Sequence, residues 1–541
     1  MTDVESVTAT GPARHSDVPA RGVLAEAARR RAFAIISHPD AGKTTLTEKL
    51  LLYAGAVAEA GSVRDRRGRR AVTSDWMELE RDRGISVTAT VLRFVHGGTV
   101  LNLLDTPGHR DFSEDTYRVL SAVDSAVILL DAAKGIEAQT VKLFEVARAR
   151  GLPLITFVNK LDRPSRDPLA LLDEIESTLG LEPIPLTWPV GTHGDFEGVV
   201  DRRTSSFVQF QRTAGGATIA LENVSERSRL SSKDAPSWRE AEEQLALLDL
   251  LRPGLQVPEF LAGRSTPVFF GSAVSNFGVR LLLEALIELA PSPQGRVAVN
   301  GMTRKLDDPF AGLVFKIQAN MNPRHRDRLA FVRICSGRFE AGMRAVNART
   351  GRPLTLNHAH ELFGRERATL ADAYPGDVVG LVNANDLRIG DTLHADPPVA
   401  FPALPTLAPE RFVIARNRDT QRYKQFRRGL DELEQEGVIS VLRRPDRGDQ
   451  EPILAGVGEM QFEVLAHRIR EEYGAVVDLE PAGFKVARRT DPAGERALRQ
   501  HRGATLVHRT DGTPLALFES EFHLRRIEAE LPDVMLDAIV S

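Results

Sequence analysis

The chain has a single cysteine, Cys335, and only ten lysines among its 70 basic residues. A lone thiol excludes an intrachain disulfide framework and a zinc site built from cysteines, and it fits a reducing compartment. The longest apolar stretch, Val119 to Ala133, is interrupted by Ser121, Asp124, Ser125 and Asp131, so it falls short of the ~20 apolar residues a spanning helix needs. Residues 1–21 are polar, have no hydrophobic segment of signal-peptide type, and read as a disordered tail. A cytoplasmic protein is expected. An excess of basic charge is also missing: 70 basic residues face 74 acidic ones, for a net charge of −4. That excludes a uniform basic coat but leaves local patches open. With 42% apolar and 27% charged residues the composition is globular, which excludes collagen-like, fibrous and wholly disordered classes. A length of 541 residues calls for three to four domains. Where lysine is so scarce, a lysine inside a motif carries unusual weight.

The first part of the chain alternates short apolar strands with helices. RAFAIIS (31–37), VLNLL (100–104), SAVILL (125–130), LITFV (154–158) and VFF (268–270) read as strands. Helices are expected over 43–54 and 139–150. Nearly all-apolar strands in this rhythm indicate a parallel sheet buried on both faces. The stretch 188–264 breaks the rhythm with a β-like part and an acidic helix, and reads as an insertion at about 190–262. PSPQGR from Pro291 closes the unit. From 301 to 397, short apolar runs separated by GRFEAG, ARTGRP and YPGD have the look of an antiparallel barrel. After a proline-rich stretch, helices over 420–436 and 460–473 mixed with strands suggest an α+β unit. The expected architecture is therefore multidomain. An α/β phosphate-loop domain with an insertion (22–295) comes first, then an antiparallel β-barrel (301–397), then an α+β domain (398–541).

Four strand ends carry chemistry. SHPDAGKTT runs from Ser37 through His38, Pro39, Asp40, Ala41 and Gly42 to Lys43, Thr44 and Thr45. It places GKT at a helix start, where backbone N–H groups and the helix dipole favour anions. Lys43 would reach the β- and γ-phosphates of a nucleotide, and the Thr44 hydroxyl would bind Mg²⁺. Ser37 stands where the usual pattern has its first glycine. A GK[ST] tripeptide is expected by chance roughly 0.1 times in such a chain; its bland reading is a helix cap beside a surface lysine. VLNLL delivers Asp105, followed by Thr106, Pro107, Gly108 and His109. A carboxylate there holds Mg²⁺ directly or through water, the Gly108 N–H could meet a γ-phosphate, and His109 could orient an attacking water. An exposed turn histidine is its bland alternative. NKLD (Asn159, Lys160, Leu161, Asp162) ends the next strand. Its Asp162 could accept both the N1–H and the 2-amino group of guanine, a donor pair adenine lacks; an Asx turn is the alternative. GSA follows the last strand, with Ser272 and with an Ala273 N–H suited to guanine O6. Four such signals in one order imply a GTP/GDP site.

At these residues the sequence resembles the translational GTPases. SDWMELERDRGISVT (74–88) is similar to their switch I segment, whose metal-binding threonine is matched here by Ser86. The resemblance implies catalytic roles for Asp40, Lys43 and His109, and Mg²⁺ ligation by Thr44, Ser86 and Asp105. FKIQANMNPRHRDR and GVGEMQFEVLAHRIREEY extend it across residues 22–530, closest to the class-II branch that acts in termination. Arg110 departs from that branch's usual acidic residue. The resemblance implies a ribosome-stimulated GTPase that helps class-I peptide chain release factors leave the ribosome. Ribosomal RNA and proteins would be its partners, it would act as a monomer, and it would need neither membrane nor DNA. No GGQ tripeptide is present, so peptidyl-tRNA hydrolysis is not expected. A translocase or ribosome-protection GTPase is one alternative, although too few residues follow for the extra C-terminal domains. A nucleotide-gated scaffold with little turnover is another. Two arginine-rich runs, 411–428 and 324–338, are candidates for RNA phosphates, or for ordinary solvated faces.

Overall fold

A computed structural model describes residues 22–537, apart from 58–89, 108–110, 112, 193–194, 212–217, 228–235, 253, 320–327, 358, 364–365, 383–385, 405–407, 446–447 and 502. The first unit contains α1 (Val23–Ala28), β1 (Arg30–Ser37), α2 (Lys43–Tyr53), β2 (Thr90–His96), β3 (Thr99–Asp105), α3 (Ser113–Leu120) and β4 (Ser125–Asp131). It continues with α4 (Ala138–Ala149), β5 (Leu154–Asn159), α5 (Pro168–Leu179) and β6 (Glu182–Pro185). After the insertion described below come α7 (Val257–Leu261), β11 (Ser265–Phe270) and α8 (Val279–Leu289). The strand order is β2-β3-β1-β4-β5-β11-β6. All of these neighbours are parallel except β2 with β3. β4 and β5 are buried at every position, as a sheet covered by helices on both faces requires. Local signals set the helix ends. In α5, Asp167 accepts the Ala170 N–H at 3.3 Å, Pro168 opens the helix, and Gly180 closes it at φ 63°.

The insertion is β7 (Thr187–Val190), β8 (Gly198–Asp201), β9 (Ser206–Phe210), β10 (Glu222–Glu226) and α6 (Pro236–Leu251). Its strands form a separate antiparallel sheet. Trp188, Phe207 and Trp238 are fully buried, and they join the core of the parallel sheet rather than forming one of their own.

The second unit is antiparallel and barrel-like: β12 (Ala311–Ala319), β13 (Arg328–Ser336), β14 (Arg344–Asn347), β15 (Pro353–Thr355), β16 (Ala359–Phe363), β17 (Glu366–Thr369), β18 (Val378–Val382) and β19 (Thr392–His394). It encloses its own apolar core. A single pairing, Phe363 with Leu92, joins its edge to β2. Arg30 crosses the junction to Asp377 at 2.7 Å, and both side chains are buried.

The third unit has β20 (Arg411–Asn417), α9 (Tyr423–Gln435), β21 (Ser440–Arg444), β22 (Gly448–Gly456), α10 (Glu459–Tyr473), β23 (Val477–Pro481), β24 (Val486–Arg489), α11 (Pro492–Leu498), β25 (Thr505–Arg509), β26 (Pro514–Phe518) and α12 (Glu521–Glu530). The seven-stranded sheet runs β23-β20-β22-β21-β25-β26-β24. The stretch after Pro481, which shows no clear pattern in the sequence, supplies three of these strands and two of these helices. Among the described residues no helix is long and apolar enough to cross a membrane.

Candidate functional site

Strand order positions the site. β1 lies between β3 and β4, so the chain crosses over on opposite sides of it, and the crevice beyond its carboxyl end is where open α/β sheets bind ligands. The register brings Ile35 beside Asp105, Asp131 beside Asn159, and Val158 beside Phe270. All four chemistry-bearing strand ends therefore meet at one edge of the sheet.

There they line a cavity of about 310 Å³, walled by Ser37 to Asp40 and Gly42 to Thr45 on one side and by Asn159, Lys160, Asp162, Arg163, Ala273 and Val274 on the other. Asp40 (φ 65°) and Gly42 (φ 97°) turn the loop through the left-handed region. A Cβ on Gly42 would sit 2.6 Å from the Asn159 amide nitrogen, so this position accepts no side chain. Asn159 is buried and donates to the Ala41 carbonyl at 2.8 Å, while its Oδ1 accepts the Ala273 N–H at 2.8 Å. One side chain thus ties three of the four motifs together. Lys43 and Asp105, both buried, are paired at 2.6 Å. The Thr106 hydroxyl donates to the Ile35 carbonyl at 2.6 Å.

On the base side of the cavity, the Ser272 hydroxyl donates to Asp162 Oδ1 at 2.5 Å. Lys160, at φ 72°, donates to Asp131 at 2.8 Å and to the Asp40 carbonyl. Burial by itself would raise the Asp131 carboxyl, but the Lys160 ammonium and the Ala133 N–H hold it below its ordinary value. Burial also pushes the His38 imidazole down, opposed by Glu137 at 3.9 Å. Neither His38 ring nitrogen nor the Ser37 hydroxyl has a hydrogen-bond partner among the described residues, although all are buried. Such orphaned groups beside a helix N-terminus suit a ligand rich in acceptors.

Not every expected residue faces the cavity. Leu161 has its side chain fully buried in the core, and its N–H donates to the Gly271 carbonyl at 3.2 Å. Leu161 lies in the turn after β5, where its apolar side chain is withdrawn from water into the core. Ala41, Asp105, Thr106, Pro107 and Ser272 stand behind the lining residues rather than among them. Ser86, Gly108, His109 and residues 1–21 lie outside the described residues.

Sequence reasoning missed Asp131, Arg163 and Val274. Asp131 had a signal: SAVILLD ends in an aspartate as VLNLLD does. The role of the insertion was also not legible in the sequence, and it supports the site. Trp188 packs edge-on against Phe270 at 5.4 Å, and Phe210 stacks on Phe277 at 4.9 Å. These rings hold both flanks of the Gly271–Ala273 turn. Among the described residues of the arginine-rich runs, several arginines are paired within the fold. Arg416 pairs with Glu451 and Glu480, Arg418 with Asp478, and Arg428 with Glu432. Arg333 is buried against Asp124 at 2.5 Å.

A nucleotide cradle at the switch point of a parallel sheet, followed by a barrel and an α+β unit, defines a multidomain GTP-binding protein of the translation-factor class. Residues 28–292 match the Elongation factor Tu GTP binding domain, 309–396 match Elongation factor G domain 2, and 401–528 match the Class II release factor RF3, C-terminal domain. "Peptide chain release factor 3" of Rippkaea orientalis is 47% identical over 94% of this chain and 96% of its own. That of Gloeobacter violaceus is 51% identical over 86% and 88%. A crystal structure from Thermus thermophilus superposes with a TM-score of 0.67 at 25% identity, over 90% of this chain and 71% of that one. The chain belongs to the peptide chain release factor 3 family, the class II release factors. It is a guanine-nucleotide-binding GTPase of translation termination.

Proposed function

We propose that this chain binds GTP with Mg²⁺ in the cavity at the end of β1 and hydrolyses it on the ribosome, and that each round promotes departure of a class-I release factor. The observation that carries this reading is the Asn159 bridge, which joins the phosphate loop, the base-recognition strand and the Ala273 N–H into one nucleotide-shaped enclosure. Water attacks the γ-phosphorus, the bond to the β–γ bridging oxygen breaks, and GDP and inorganic phosphate leave. Such a transition state needs positioning and charge neutralisation more than covalent chemistry. Lys43 leaves its pairing with Asp105 to bind the β- and γ-phosphates, the loop N–H groups from Asp40 onward cradle them, and His109 holds the water. Thr44, Asp105 and Ser86 offer the hard oxygen donors that suit Mg²⁺. When bound, that ion neutralises charge across the β- and γ-phosphates. Asp162 selects guanine, with Ala273 N–H on its O6. The working form is a monomer in the cytoplasm, with neither a membrane nor DNA as partner.

The test is recycling of a class-I release factor from terminated ribosomes, followed with and without GTP. Recycling that does not respond to this protein and GTP would sink the termination step while leaving nucleotide binding to stand. Multiple turnover on vacant ribosomes separates the enzyme from a nucleotide-gated scaffold.

A further inference from the structure

The helix α10 of the third unit begins at Gly458, which has no side chain to cap it. Its N-terminus is completed in two ways, one from the helix itself and one from another unit. Gln461 Oε1 accepts the Gly458 N–H at 3.1 Å, and the Met460 N–H donates to Asp111 Oδ2 at 2.8 Å, 349 residues away in sequence. Asp111 is buried and lies two residues beyond His109 in the first unit. Gly458 has ordinary extended dihedrals, φ −145° and ψ 170°, so its backbone does not require glycine. What requires it is space: a Cβ there would stand 1.9 Å from the Asp111 carboxyl carbon. The recess above Gly458 is filled by a carboxylate from another unit, placed where an N-cap side chain belongs. The helix that follows Asp111, α3, is held by both other units. Asp115 meets Lys316 of β12 at 3.4 Å, and Arg118 donates to the Gly437 carbonyl at 3.3 Å.

We infer that Asp111 is a positioning residue, which couples GTP turnover to the seating of the third unit by capping α10 across the domain boundary. The inference rests on the reading that the cavity hydrolyses GTP. Two residues of chain lie between Gly108 and Asp111, a covalent link of at most about 10 Å. The cap and the hydrolysis step are therefore tied through one short stretch of backbone, so that loss of the cap is felt in turnover.

Two variants separate coupling from helix stability. Asp111→Ala removes the cap. Adding Gly458→Ser gives α10 a cap of its own in the space Asp111 vacated. The single variant should lower ribosome-stimulated kcat by roughly five- to thirty-fold, the size of a lost cap, with KM for GTP and affinity for a fluorescent GDP unchanged. Exchange at the Met460 amide should accelerate. The double variant should regain the melting temperature but not kcat, and Asp111→Asn, which keeps an acceptor oxygen, should recover part of it. Recovery of kcat in the double variant would reduce Asp111 to a structural cap and overturn the inference, as would a kcat unmoved by Asp111→Ala or a loss of GDP affinity. Turnover of the unaltered protein on ribosomes, measured alongside, tests the hydrolysis reading separately.

Discussion

Replacing Asp162 by asparagine tests the base-recognition geometry most directly. The Ser272 hydroxyl donates to Asp162 Oδ1 at 2.5 Å. In Asp162→Asn the same hydroxyl still requires an acceptor, so it selects the amide rotamer with Oδ1 in place. The NH₂ group then stands where Oδ2 stood and faces the base. Guanine presents two donors at this edge, so one hydrogen bond to a carboxylate is replaced by a donor–donor contact. Losing a charge-assisted bond and leaving a buried donor unpaired costs about 3–5 kcal/mol, which is roughly 10²–10⁴-fold in affinity. Xanthine carries a carbonyl where guanine has its amino group, and it suits the amide. Titration of fluorescent GDP and xanthosine diphosphate should show the preference reversed, with little change in melting temperature because the Ser272 bond survives. Adding Ser272→Ala frees the amide to turn over and should narrow the difference between the two bases. Unchanged GDP affinity in Asp162→Asn would refute the assignment of Asp162 to the base.

The remaining expectations are briefer. His109→Ala should keep GDP affinity and lower ribosome-stimulated phosphate release by about 10²-fold or more; an unchanged rate in rapid-mixing measurements would remove His109 from the chemistry. Arg30→Ala leaves Asp377 buried, with Arg93 3.7 Å away, the Tyr374 N–H at 3.0 Å and the Asn102 amide at 3.3 Å as residual partners. It should cost about 3 kcal/mol in urea denaturation, and a loss below about 1 kcal/mol would show that the junction does not depend on this charge pair. His38 has a folded-state value depressed by burial. Below its ordinary value of 6.5 the unfolded chain takes up a proton that the folded chain refuses. Stability is therefore fully present above that value and is lost as pH falls towards the folded-state value. Denaturation of His38→Gln beside the parent protein, at about pH 7.5 and pH 5.5, should show a shallower decline in the variant; parallel declines would contradict this.

Much of the site was legible because each motif sits where a short apolar strand stops. Ser37, Asp105, Asn159 and Gly271 all follow strands readable as apolar runs, and a parallel sheet aligns such ends. Asp131 escaped notice because its role depends on Lys160, which approaches from the neighbouring strand. Leu161 belongs to its motif by sequence, while the turn after β5 sends its side chain into the core. Counted along the chain, the arginine runs are candidates for RNA phosphates or for solvated faces. Arg416, Arg418 and Arg333 find their carboxylates on other strands or in another unit, so linear counting overstated the free charge. The chain beyond Pro481 was hard to read because β24, β25 and β26 are short, and although β25 and β26 form a local hairpin, β25 also pairs with β21, well before it in the chain.

The sequence by itself determined the motifs: a phosphate-loop pattern, an NKLD aspartate proposed to select the base, and their order along strands. Those features depend on residue type and on spacings of a few residues, within which covalent geometry leaves little freedom. Only the tertiary structure decided which groups meet. Asn159 reaches Ala41 and Ala273 across more than 100 residues each way, Trp188 supports the turn after β11, and Asp111 completes a helix in another unit. Those contacts follow from sheet order and from the packing of one unit on another, and no local pattern records either.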